Sequence, residues 1–361
     1  CDQVPTSYSA HDHYDLYATT TITQLKMLFH RDWTSKLRNV SALRLKIGMS
    51  IAIGFIIGVP FFGHGHVEEP LYHDGSVTTE VRSLNSLMYI VIFVVALINV
   101  TAIASLSTMN RLYQLESSAH AYRPFGYWLC ILLSDLPLQL LSHLIFISIL
   151  YVMVNFDHYP DYFMYLYLST FVVHFVSYSS ALFLSASLPS ALLATRAFVF
   201  QFVFLNVFSG YLICQEDLIN VWSWVPYLMF SRWGFEGLMI NQWEHYDAAR
   251  AKEDDDHHGD VLEDYGFNHF SKYSCITINL LIMSVYMLLL YMSLLPKKTI
   301  YVIRECNAET IDDGLSEEAS TASLASSSVS VFRTTALIII IIIGSFTASF
   351  SPLSSSSSSL F

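Results

Sequence analysis

The chain has 361 residues, 53% of them hydrophobic and 13% charged, with a formal net charge of −12. Soluble domains carry about 25% charged residues, so a fold of this size could not cover itself in water, and a soluble globular domain is excluded. The negative charge gathers in seven acids within Glu253–Asp264 and in Asp312, Asp313, Glu317 and Glu318. No basic stripe interleaved with aromatics is present, which excludes nucleic acid as a partner.

In chain order, Cys1 opens the sequence without a charged n-region and short apolar core, so no signal peptide is read. Residues 1–20 are expected to be a linker behind a missing upstream part. Thr21–Arg38 places Ile22, Leu25, Phe29, Trp33 and Leu37 three or four residues apart, with Lys26, His30, Arg31 and Lys36 elsewhere on the wheel. That spacing predicts an amphipathic helix lying in the membrane interface, the plainer alternative being an ordinary helix packed on protein.

A transmembrane helix needs about 20 apolar residues. Six segments qualify, about 43–62, 84–106, 127–154, 162–186, 192–213 and 274–295. The expected fold is therefore an all-α polytopic membrane protein with six transmembrane helices over residues 21–298. With the N-terminus cytoplasmic, twelve Lys and Arg fall on inside segments and five on outside ones, the bias that sets orientation. The segment Ser107–Gly126 reads as a polar inside loop, and Cys214–Tyr273 as a long external region.

That region is entered by NVWSWVPYLMFSRWGFEGLMINQWEH (Asn220–His245), with four of the six tryptophans. Tryptophan prefers the membrane–water interface. Pro226 and Arg232–Gly234 divide the stretch into two short helices, each too short to cross. Beyond Pro296 the chain turns polar and Ser-rich, then reaches Leu337 and six isoleucines, Ile338–Ile343. Residues 299–361 read as a tail, cytoplasmic over about 296–330. Its apolar piece is either a seventh helix or an irregular extension.

Catalytic signatures are missing: there is no GxxxxGK[ST], GxSxG or HExxH, and no enzyme activity is expected of the chain. The five cysteines form no CxxC and no disulfide framework. His64, His66, His73, His257 and His258 are of metal-binding type, but their spacing matches no specific site, and no metal is expected. Polar residues inside spans are more telling. Asn99, Thr101 and Ser105 fall in the second and Gln201 and Asn206 in the fifth, positions that mark a pathway or hydrogen bonds between helices.

The order of parts resembles the transmembrane half of G-subfamily ABC transporters, the white/brown-type half-transporters of the type-2 exporter fold, over about residues 20–300. The likeness rests on the elbow text QLKMLFHRDWTSKLRN, on GFIIGVPFF, and on RLYQLESSAHAYRPFGYWLCILLSDLP. It continues in FSGYLI (Phe208–Ile213), RWGFEGLMINQW (Arg232–Trp243) and LLPKK (Leu294–Lys298).

This resemblance implies a dimer of two such halves, homo- or heteromeric, each joined to a nucleotide-binding domain that precedes the elbow. ATP and Mg²⁺ are implied there, and no cofactor is expected on this chain. Arg111, Tyr113, Glu116 and Arg123 match the coupling segment, and the two short helices of Asn220–His245 resemble the family's re-entrant pair, which implies Arg232 and Glu236 at the dimer's outer rim. Asn99, Phe200, Gln201, Phe204 and Asn206 are expected to line a path for lipids, sterols or other hydrophobic molecules, and Tyr211–Leu212 matches the exit plug. Two positions depart from the family pattern: Met109 stands where a Glu usually precedes the coupling Arg, and Asn99 where an aromatic often stacks on substrate. A plasma or intracellular membrane is the expected location. The other classes to separate from this reading are an ATP-independent channel or secondary carrier, and a receptor-like protein without transport.

Overall fold

A computed structural model describes residues 20–65, 72–73, 76–119, 121–156, 160–213, 222, 224–250, 261–262, 265–267 and 270–295. Residues before Thr20, most of the acidic run, His66, His257, His258 and everything beyond Leu295 lie outside the described residues. So do the expected linker, tail and Ile-rich segment. Within the described residues the chain is helical: α1 (Thr21–Arg38), α2 (Val40–Gly58), α3 (Thr79–Leu97), α4 (Ile103–Ser118), α5 (Pro124–Val154), α6 (Pro160–Ser187), α7 (Ala191–Val207), α8 (Phe230–Arg250) and α9 (Lys272–Leu294). The only pleated pairing among the described residues is the two-residue antiparallel contact of β1 (Tyr72–His73) with β2 (Ser76–Val77).

Local chemistry sets the helix ends. Asn39 stops α1 and caps α2, its side chain accepting from the Ala42 amide at 3.2 Å, while Lys36 and Arg38 in the last turn of α1 complement the helix dipole. Pro124 opens α5, where its missing N–H has no helical partner to lose. Asn155 ends that helix with a φ of 62°. Ser190 and Ser271 cap α7 and α9 through the amides of Leu193 and Ser274.

Among the described residues five helices are long and apolar enough to cross a membrane: Val40–Gly58, Thr79–Ser117, Pro124–Val154, Pro160–Ser187 and Lys272–Leu294. The second is α3 continued through a 3₁₀ stretch, Ile98–Ala102, into α4. The expected inside loop Ser107–Gly126 is corrected accordingly. It is helical to Ser118, and only the turn before Pro124 connects it to α5. The reason lies in the sequence Ile103–Ser118, which carries no Gly or Pro to stop a helix once begun. At about 1.5 Å per residue this helix outruns a roughly 30 Å hydrocarbon layer, and its polar end projects beyond it.

Two further expectations are corrected. The fifth span, expected to reach 213, is the 17-residue α7 ending at Val207. Gly210, at a φ of 91°, turns the chain there, and a Cβ on it would meet the Phe267 ring at 2.9 Å. The stretch from Pro226 is not a pair of short helices. A 3₁₀ turn, Pro226–Leu228, leads into the single 21-residue α8, whose first turn contains Arg232–Gly234. Gly234 admits a close crossing, since a Cβ there would come within 2.6 Å of Val173 Cγ2 on α6.

Helix α6 is the hub. Of its most apolar window 83% is buried, against 17% for α2, and it packs on α3, α4, α5, α7, α8 and α9. Helix α2 touches the bundle through one stripe, where Gly54 and Gly58 let it approach Ile149 and Met153 of α5, small residues admitting close contact as in membrane helix pairs. Its remaining surface shows Leu45, Ile51, Phe55, Ile56 and Val59 outward. Helix α1 packs Leu28, Leu25 and Phe29 on the bundle but carries polar groups to the same contact. It buries Gln24 and Leu28 and points Asp32 and Lys36 at α5, while Ile22 is 81% exposed.

Candidate functional site: the α1 junction and the cleft beside it

Helix α1 is fastened to the α4–α5 hairpin by groups from three directions. Arg31 donates to Glu116 through both terminal nitrogens, Nη1 to Oε1 at 2.7 Å and Nη2 to Oε2 at 3.2 Å. Tyr122 donates to the same carboxylate at 2.5 Å. From the turn, the Arg123 amide donates to Gln24 Oε1 at 3.1 Å and its Nη1 to Thr21 Oγ1 at 3.2 Å. The Glu116 hydrogen bond raises the Arg31 pKa above its ordinary value against the opposing effect of partial burial. Burial, then the Glu116 carboxylate, pushes the Tyr122 phenol well above its usual range. Both groups hold their protons throughout the physiological range.

Behind this contact Tyr113 stacks on Tyr127 at 4.2 Å and donates to the Leu294 carbonyl of α9 at 3.3 Å. The four residues expected to couple to a nucleotide-binding domain thus divide. Glu116 and Arg123 engage α1, and Tyr113 is buried against α5 and α9. Arg111 is exposed, as is the side chain of Arg123.

A second ionic group sits further along α1. Lys36 Nζ lies 2.6 Å from Asp32 and 2.8 Å from Asp135 of α5, and donates to Ser134 Oγ at 2.7 Å. Ser134 donates in turn to Asp32, and Tyr178 of α6 to Asp135. The sequence reading missed this cluster. Asp135 appeared only inside the text LSDLP, and the one available signal was the i, i+4 spacing of Asp32 and Lys36.

These groups form one side of a cleft of about 770 Å³ enclosed by α1, α2, the 98–102 stretch, α4 and α5 and floored by His174 and Tyr178. Asn99 lines it, 4% exposed, and donates to the His174 carbonyl at 3.1 Å. The other expected path residues lie elsewhere. Phe200 is 75% exposed and Phe204 shares its outward face of α7. Gln201 donates to the Tyr286 hydroxyl of α9 at 2.7 Å. Asn206 is buried and donates to the Phe202 carbonyl. The chain by itself therefore does not gather these five into a single pocket.

At the opposite end Tyr211 stacks on Tyr89 at 4.6 Å and shares a 2.6 Å hydrogen bond with Ser86, while Leu212 is exposed. Arg232 and Glu236, expected to seek partners at a rim, lie inside the chain's own bundle, 2% and 0% exposed. They face each other at 3.3 Å, with the guanidinium over the rings of Tyr227 and Trp233. Among the described residues no group of His, Cys, Asp or Glu has the arrangement to hold a metal ion.

A polytopic helical bundle of this kind, with an outlying helix pinned to the α4–α5 hairpin, defines an integral membrane protein. The family described as ABC-2 type transporter matches residues 23–243, and the chain belongs to it. The relatives are G-subfamily members. "ABC transporter G family member 2" of Dictyostelium discoideum is 24% identical over 67% of this chain and 17% of its own length. "Broad substrate specificity ATP-binding cassette transporter ABCG2" of Bos taurus is 26% identical over 63% of this chain and 33% of its own length. "ABC transporter ATP-binding protein/permease wht-1" of Caenorhabditis elegans is 25% identical over 63% and 33%. The chain thus spans a third or less of the relatives it matches, and corresponds to the membrane part of an ABC-type transporter.

Proposed function

We propose that the chain is the membrane-spanning half of an ATP-driven exporter of lipids, sterols or other amphipathic molecules. In this reading it works with a nucleotide-binding domain and a second half-transporter, homo- or heteromeric. The observation that supports this most directly is the fastening of α1 to the α4–α5 hairpin by Arg31–Glu116 and Arg123–Thr21. A helix that would follow a motor domain is thereby bonded to the end of a continuous helix, α3–α4, that runs through the bundle, so a displacement at one end moves the whole helix. Exposed Arg111 offers a contact for that domain.

ATP and Mg²⁺ belong to the nucleotide-binding domain, and the present chain contributes binding, orientation and motion rather than chemistry. The outward face of α7, with Phe200, Val203 and Phe204 exposed, is the surface that a second half would meet to close a substrate path. Tyr211 and Leu212 stand at its outer end as the gate. The N-terminus and the segment after α9 are cytoplasmic in this arrangement, in the plasma or an internal membrane.

The test is flux. Full-length protein in sealed proteoliposomes should accumulate a fluorescent amphiphile only with Mg·ATP outside, and not with a non-hydrolysable analogue. Equal flux without ATP would replace the exporter by a channel or carrier.

A further inference from the structure

We propose that the cleft between α1, α2, α4 and α5 is a binding site for an anionic phospholipid, held by its phosphate at Lys46 and Gln139. This site is separate from the α7 face and does not depend on transport. Its volume, about 770 Å³, lies in the roughly 300–1,000 Å³ range of small-molecule pockets. Its lining is divided. Leu43, Met49, Ile98 and Leu106 make an apolar wall, and charged and amide groups gather toward α1 and α5.

Most of those charges are already neutralised, Arg31 by Glu116 and Lys36 by Asp32 and Asp135. Lys46 also lines the cleft and forms no ion pair among the described residues; it feels Asp135 only at longer range, since that carboxylate is engaged by Lys36, so its ammonium is the cation open to a ligand. Gln139 is the second independent sign. It is 3% exposed, lines the same cleft, and its Oε1 is buried with no hydrogen-bond partner. Buried polar atoms are almost always bonded, and an unbonded one on a residue that lines a cavity marks a missing partner. Its Nε2 can donate to a phosphate oxygen while Oε1 accepts from a headgroup hydroxyl, in the cleft that Lys46 also lines.

The occupant is a lipid rather than a soluble phosphate because of what encloses the cleft. Its outer wall is α2, one helix thick, whose other face shows Ile51, Phe55 and Ile56 to the bilayer. Leu45, which borders the cleft, is itself 65% exposed, so the apolar wall runs out continuously to the hydrocarbon. Arg38 at the end of α1 and Arg44 in the first turns of α2 are exposed and form no ion pairs among the described residues. Basic groups beside a membrane helix select anionic over zwitterionic lipid.

The experiment uses the full chain in a mild detergent, with lipids retained counted by native mass spectrometry and unfolding followed by temperature. Phosphatidylglycerol, phosphatidylcholine and glycerol phosphate are the three probes. One phosphatidylglycerol should be retained per chain and raise the unfolding temperature, and phosphatidylcholine should bind about tenfold more weakly. Lys46→Gln and Gln139→Leu should each weaken phosphatidylglycerol about tenfold, the scale of a lost charged hydrogen bond. Lys46→Arg should restore it, and the exposed control Arg196→Gln should change nothing. Equal retention in Lys46→Gln and the parent overturns the proposal, as does equal affinity for phosphatidylcholine. Equal stabilisation by glycerol phosphate would also overturn it and assign the cleft to a soluble phosphate compound. Should Lys46→Gln fail to fold, loss of retention in Gln139→Leu with full retention in Lys46→Arg supports the site, and no loss in Gln139→Leu overturns it.

Discussion

Arg31 and Glu116, 85 residues apart in sequence, meet in a two-point ion pair that joins α1 to the end of α4. Arg31 is 53% exposed and Glu116 23%, so solvent screens the pair and its contribution to stability is about 1 kcal/mol or less. Its importance is geometric. Planar guanidinium and carboxylate fix orientation as well as distance.

Arg31→Ala should therefore leave the unfolding temperature almost unchanged while uncoupling nucleotide hydrolysis from transport in the full-length protein. The exchange Arg31→Glu with Glu116→Arg should recover coupling that either single change loses. ATPase and flux measured on the same preparations check this. Parallel loss of both, with a large fall in stability, would make the pair merely structural.

The second junction, Lys36 between Asp32 and Asp135, differs in burial: all three side chains are 17–19% exposed. Removing the cation leaves two carboxylates facing each other with little water, where breaking a buried pair costs about 3 kcal/mol or more. Lys36→Met should lower the unfolding temperature strongly, whereas Lys26→Met on the exposed side of α1 should not. Lys36→Met combined with Asp32→Asn and Asp135→Asn should recover much of the loss. A scanning thermal assay on the four proteins decides it.

The legible and illegible parts of the sequence separate along physical lines. Long apolar runs reveal themselves, and the runs marking α2, α3, α5, α6 and α9 were all read. Composition is silent about where a helix stops when nothing breaks it, so the continuation of α3 into α4 was read as a loop because its residues turn polar. Gly210 carried the signal that should have shortened the fifth span, as a residue able to take positive φ just beyond Asn206.

The α8 stretch misled for another reason. Arg232 and Gly234 look like breakers in sequence, yet the arginine is stabilised by Glu236 one turn on and by two rings, and the glycine is there for packing on α6. Of the site, single residues were legible but partnerships were not. Glu116 was picked out, but Arg31, which lay in plain view in the elbow text, was not joined to it. Pairings across 85 residues leave no mark on periodicity.

Glu236 sets a pH dependence. Burial raises its pKa to about 7, with Arg232 opposing. A carboxyl whose pKa rises on folding binds its proton more tightly in the native state, so the unfolded state releases it first. Stability then falls as pH climbs from the ordinary glutamate value, 4.5, to about 7, at up to about 1.4 kcal/mol per pH unit, and levels off above. Glu236→Gln should remove that slope whatever it does to absolute stability, because Gln does not titrate. Unfolding free energies from pH 5 to 8 for both proteins test it, and an unchanged slope would show that another group carries the dependence.

Glycines offer the sharpest contrast between a packed and an open helix face. A Cβ at Gly234 would stand 2.6 Å from Val173 Cγ2 and 3.1 Å from Ile92 Cδ1. Both neighbours are fully buried, at 0% exposure, so neither can step aside and α8 must lift from α3 and α6. Overpacking of this kind costs about 1–3 kcal/mol. Gly48 on α2 has nothing within 4 Å of its would-be Cβ, so the only consequence there is relief of the glycine penalty in a helix, about 1 kcal/mol. Gly234→Ala should thus lower the unfolding temperature and Gly48→Ala raise or maintain it. Opposite signs from one chemical change, read in the same detergent and the same scan, would show that the α3–α6–α8 contact is a close-packed interior and that α2 faces outward. Equal shifts would contradict that arrangement of the helices.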